Sequence, residues 1–84
     1  MHELSLANSI FDIVRQYVPV DRAPLVRSVR VRVGELAGVE PDSLAWCFSA
    51  VTSETPYDRA SLAIDRVAGQ ELQVADIELE EETP

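Results

Sequence analysis

Residues 25–51, LVRSVRVRVGELAGVEPDSLAWCFSAV, change their hydrophobic period halfway along, and that change decides the fold class. Up to Val33 the pattern alternates. Val29, Val31 and Val33 face one way while Ser28, Arg30 and Arg32 face the other, which predicts a β-strand buried on one side only. GELAG (34–38), with two glycines, reads as a turn. From Val39 the period becomes helical: Leu44, Cys47, Phe48 and Val51 form a stripe, Pro41 suits the first helical position, and Glu40 stands at the N-cap. A half-buried strand running into an amphipathic helix implies two packed layers.

Working outward, Leu6, Ile10, Ile13, Val14, Tyr17 and Val18, with Ala7 and Phe11 beside them, predict an amphipathic helix over 4–18. The segment VPVDRAP (18–24), bracketed by Pro19 and Pro24, is expected to be loop. On the C-terminal side TSETPYDR (52–59) reads as loop, and SLAIDRV (61–67) and ELQVADIEL (71–79) as two strands. AGQ (68–70) between them is short enough for a hairpin. The apolar phase slips after Val74, so a β-bulge is expected near Ala75 and Asp76. The predicted fold is α+β: one two-layer domain over 1–84, order α-β-α-β-β, with two helices packed on a small three-stranded mixed sheet.

Composition narrows the functions. The chain is 46% hydrophobic, enough for a modest core, and has no run of about 18 apolar residues, so no transmembrane helix is expected. The opening lacks the basic n-region of a signal peptide, and the expected location is the cytoplasm. Fifteen acids against seven arginines set the net charge at −8, and the last nine residues, DIELEEETP, are the most acidic stretch. Nucleic acid and anionic membrane are therefore poor partners, whereas cations and basic protein surfaces remain plausible ones. A single cysteine, Cys47, permits neither an intrachain disulfide nor a CxxC metal knuckle.

Few residues carry distinctive chemistry. The only histidine is His2, beside the chain terminus and ahead of the first helix. The Met1 amine, the His2 imidazole and the amides of His2 and Glu3 put four nitrogens along one short stretch. That arrangement suits a square-planar ion, Ni(II) or Cu(II), and its binding should release protons. Taken alone, a histidine at position 2 is a weak signal, and a solvated terminal side chain is the readier reading. A cation there would also oppose the positive end of the helix dipole unless the Glu3 carboxylate and deprotonated amides offset it. Glu40 is a long side chain at a position that favours short ones, which leaves its carboxylate freer for another role or simply solvated. Cys47 reads as a small core residue, and Trp46, off the apolar stripe, as a contact side chain. Arg30 and Arg32 share a polar strand face, either as a patch for an acidic partner or as a solvated surface. The acidic tail suits solubility. No Ser-His-Asp set, phosphate loop or Cys/His pair is present, so the sequence does not read as an enzyme.

Three segments carry a family resemblance. MHELSLA (1–7) resembles the opening of the HypA/HybF hydrogenase nickel-incorporation proteins. VRVRVGELAGVEPDSLAWCF (29–48) is similar to their strand–turn–helix signature, and AGQELQVADIELEEE (68–82) looks like their closing strand. The resemblance implies nickel at the Met-His-Glu terminus, with His2 as ligand and Glu3 and the Met1 backbone assisting. It further implies that Glu40 tunes the site. The implied work is that of a metallochaperone passing Ni(II), alongside a maturation GTPase, to the large subunit of [NiFe]-hydrogenase, or to urease. Members normally carry a two-CxxC zinc domain between the last two strands. Here residues 68–70 close that gap, so no structural zinc is expected, and the chain is read as a nickel-binding domain, either monomeric or a strand-exchanged dimer. The competing reading is an adaptor that keeps the protein contacts without delivering metal. Partner binding indifferent to nickel and to His2→Ala would distinguish it.

Overall fold

The computed structural model describes residues 2–80. Met1, assigned above to the metal site, and the end of the acidic tail (81–84) lie outside the described residues. Helix α1 runs Glu3–Tyr17, strand β1 Val26–Gly34, helix α2 Pro41–Thr52, strand β2 Ser61–Val67 and strand β3 Leu72–Leu79. The architecture is the expected α+β one, with two helices on one face of a three-stranded mixed sheet.

The core follows from the periodicities. Val29, Val31 and Val33 of β1 are buried together with Ala7, Ile10, Phe11 and Val14 of α1 and Leu44 and Phe48 of α2. Some positions on the expected stripes lie outside the buried core. Tyr17 is 74% exposed, at the flank of α1 beside an open groove against β3. On α2 the innermost line is Leu44–Phe48–Thr52, one residue in four, so Cys47 and Val51 are only half-buried. Thr52 tolerates burial because its hydroxyl donates to the Phe48 carbonyl at 3.0 Å. The VPVDRAP segment is also not simple loop. Residues Val20–Leu25 form a short 3-10 helix in which Ala23 is buried, with Pro19, at φ −66°, as its N-cap. So short a helix tolerates Pro24 inside it, because few of its amides need an internal acceptor.

Tyr57, from the loop after α2, closes the core. Its ring meets Phe11 edge-on, with centroids 5.3 Å apart, and its buried hydroxyl donates to the Val18 carbonyl at 2.6 Å. Tyr57→Phe keeps the ring and strands that carbonyl. It is expected to cost about 1–2 kcal/mol, read as a lower urea midpoint at unchanged slope.

The largest difference from expectation is topological. β2 and β3 do not form a hairpin. The strand order is β2-β1-β3, with β1 parallel to β2 and antiparallel to β3. The link through residues 68–70 therefore passes over the end of β1. It is held there by Gly34 N–H donating to the Glu71 carbonyl (2.6 Å), Glu35 N–H to Val67 (2.8 Å) and Leu36 N–H to Gly69 (2.8 Å). Such a passage needs a residue without a side chain beneath it, and Gly34 supplies one. The bulge falls where the phase slip places it. Arg30 pairs with Asp76 and Val31 with Val74, leaving Ala75 as the extra residue.

The outer sheet face is not an open basic patch. Arg30 lies 3.8 Å from Asp65 of β2 and 3.5 Å from Asp76 of β3, while Arg32 lies 3.9 Å from Glu71. These long, half-exposed pairs add little stability, but they cancel the positive charge that an acidic partner would need. Among the described residues no helix is long and apolar enough to cross a membrane.

Candidate metal centre

Both helices begin at the same end of the molecule. His2 is the N-cap of α1, extended at φ −82° and ψ 112°, with an exposed side chain that caps nothing. Its carbonyl accepts from Leu6 N–H at 3.1 Å, which is the first bond of the helix. The amides of residues 3–5 precede that bond and have no partner within α1, so a metal can displace the Glu3 amide proton without breaking the helical ladder.

Glu3 opens α1, and its Oε2 accepts from the Glu40 backbone N–H at 3.3 Å across 37 residues of sequence. This contact ties the start of α1 to the start of α2. Glu40 is the N-cap of α2, but its carboxylate is less free than its length suggests. Oε1 accepts from Asp42 N–H at 2.9 Å. Pro41 at N1 has no N–H, so the first amide needing a partner lies one residue further on, within reach of the longer Glu side chain. Glu3, Glu40 and Asp42 thus stand at two helix N-termini, and their negative charge offsets both dipoles where a cation would arrive.

His2 and Glu3 line one cleft of about 430 Å³ together with Leu4, Asp42, Ser43, Trp46 and Cys47. Of the four residues expected at the site, His2 and Glu3 therefore share a cavity, Glu40 is linked to Glu3 through its backbone, and Met1 is outside the described residues. Cys47 and Trp46 were not expected as cleft walls. The available signal was spacing, since Asp42–Trp46 and Ser43–Cys47 are each four apart and share a face of α2. Among the described residues no group of three or more His, Cys, Asp or Glu side chains is arranged to hold a metal ion. Backbone nitrogen beside the His2 imidazole is the further donor the terminus could offer, a set that suits square-planar Ni(II).

Comparison with known proteins adds independent findings. The family model described as "Hydrogenase/urease nickel incorporation, metallochaperone, hypA" matches residues 1–73. The hydrogenase maturation factor HypA of Rhizobium leguminosarum bv. viciae is 44% identical over 70 residues, covering 83% of this chain and 62% of that protein. The corresponding factor of Streptomyces avermitilis is 44% identical over 71 residues, covering 83% of this chain and 54% of that protein. The chain thus spans little more than half the length of these relatives. The solution structure of the Ni metallochaperone HypA from Helicobacter pylori shares the fold, with a TM-score of 0.78 over 98% of this chain and all of that one, at 16% identity.

Proposed function

The chain belongs to the HypA family of hydrogenase/urease nickel-incorporation metallochaperones, and from that premise we propose that it captures Ni(II) with its first three residues for delivery to a nickel enzyme under maturation. The recipient is a [NiFe]-hydrogenase, or urease. The observation that carries this reading is the state of the terminus: an uncommitted His2 side chain beside amides that owe nothing to the helix. In the proposed site the His2 imidazole, the Met1 amine and the amides of His2 and Glu3 form the ligand plane. The Glu3 carboxylate offsets the added charge, and Glu40 holds Glu3 in place through its backbone N–H.

The nickel is cargo, and no catalytic step is assigned to the chain. Residues 1–84 serve as the nickel-binding domain. With Cys47 as the sole cysteine, the chain has no CxxC pair with which to bind structural zinc. Its proposed partners are the maturation GTPase and the enzyme subunit that receives the metal, in the cytoplasm.

Calorimetric titration of Ni(II) into the native protein and into His2→Ala tests the reading. The native chain is expected to take up one equivalent and the variant to lose tight binding. Because the His2 side chain makes no capping bond, the variant should keep the native far-UV circular dichroism. Equal affinities would refute the proposal.

A further inference from the structure

The cleft wall holds two side chains that nickel capture does not use. Trp46 is 73% exposed and Leu4 44% exposed, and of the exposed large apolar side chains among the described residues these two line the same cleft as His2. Both face the same cavity as Asp42 and Glu3. Among the described residues no hydrogen bond or ion pair engages the Asp42 carboxylate, and no arginine lines the cleft. Four of the seven arginines meet acids elsewhere: Arg15 meets Asp12, Arg27 meets Glu80, and Arg30 and Arg32 meet acids on or beside the sheet. The cleft is thus a place where exposed apolar surface lies beside carboxylates that no arginine neutralises.

We infer that the Leu4–Trp46 face, rimmed by Glu3 and Asp42, docks a cationic amphipathic segment of the protein that exchanges nickel with His2. This rests on the nickel reading above and specifies the partner's chemistry. Leucine-type side chains cover Leu4 and the indole edge, an arginine lies over the indole face, and its neighbours meet Asp42 and Glu3. A tryptophan at the centre of an otherwise polar rim is the usual anchor of such an interface. Docking there places the partner's own ligands beside His2, so that the metal passes without entering bulk water. A second copy of this chain does not fit, since a two-fold contact would set Glu3 and Asp42 against their own images on a protein of net charge −8.

Trp46 is the only tryptophan, so its emission reports on this surface alone. The test titrates the nickel-free protein with a helical peptide carrying a leucine stripe flanked by arginines, and with a twin bearing glutamate at every arginine. The basic peptide is expected to blue-shift Trp46 emission and saturate, with affinity falling as salt rises. The acidic twin is expected to do neither. Asp42→Asn, followed by fluorescence, and Trp46→Ala, followed by anisotropy of a labelled peptide, are each expected to weaken binding roughly tenfold. Tyr17→Ala, in the groove beside β3, is expected to leave it unchanged. No binding of the basic peptide, equal binding of the acidic twin, or undiminished binding by Trp46→Ala overturns the assignment. An emission shift with protein concentration alone would mark self-association and overturn it equally. The nickel titration is a separate measurement, so failure of the surface and failure of the metal site are told apart.

Discussion

Adding even two residues ahead of Met1 is expected to abolish tight Ni(II) binding while leaving the fold untouched. Extension turns the terminal amine into a peptide amide, which is not a donor until it too loses a proton. It also removes the nitrogen from which the chelate rings along Met1, His2 and Glu3 are built. Groups that only support a ligand are commonly worth about 10–100-fold in metal affinity, so loss of a ligand itself should exceed about 100-fold. The fold is insulated from the change because α1 begins at Glu3 and its first hydrogen bond runs from Leu6 to the His2 carbonyl, downstream of the addition. Calorimetry in two buffers of different ionisation enthalpy should also show protons released on binding to the unextended chain, with affinity falling as pH is lowered. An extended protein that binds nickel as tightly as one starting at Met1 would exclude the amine and leave the imidazole to act with side chains. That outcome would fit poorly with a terminus at which no three side-chain donors cluster among the described residues.

Gly34→Ala should be the most damaging single methyl in the chain, costing about 3 kcal/mol or more. A Cβ at this position would lie 2.7 Å from Glu71 N and Gly69 C, and closer still to the Gly69 carbonyl oxygen. All three are backbone atoms. Moving them breaks the bonds from Gly34, Glu35 and Leu36 that hold the link over the end of β1. A domain of this size has about 4–13 kcal/mol to lose, so a large share of its stability would go. Gly69→Ala is the matched control. Its φ of +83° disfavours a side chain, but nothing lies within 4 Å of the added methyl. The expected cost there is about 1 kcal/mol. Urea midpoints of the two variants should therefore differ widely, and a Gly34→Ala protein within 1 kcal/mol of native would mean that the link does not cross β1 as described.

The strand order also shows where sequence reading loses force. A three-residue link between two strands normally joins neighbours, and nothing within residues 61–79 argues otherwise. What overrides the local rule is a third strand, β1, whose end at Gly34 is bare enough to be crossed. Burial of Thr52 and Tyr57 was likewise hidden. Each is polar, and each is made affordable by an acceptor, the Phe48 and Val18 carbonyls respectively, that only the folded chain presents.

The helices, the alternating β1 and the bulge at Ala75 were determined by the sequence itself, and the donors proposed at His2 are read from it alone. Each depends on residues within a few positions of one another: a 3.6 or 2.0 period, a phase slip, consecutive nitrogens along one stretch of backbone. The order of the strands, the Glu3–Glu40 link and the cleft that sets Trp46 beside His2 were decided by tertiary structure. They join groups dozens of residues apart, and no local pattern records which faces will meet once the core closes.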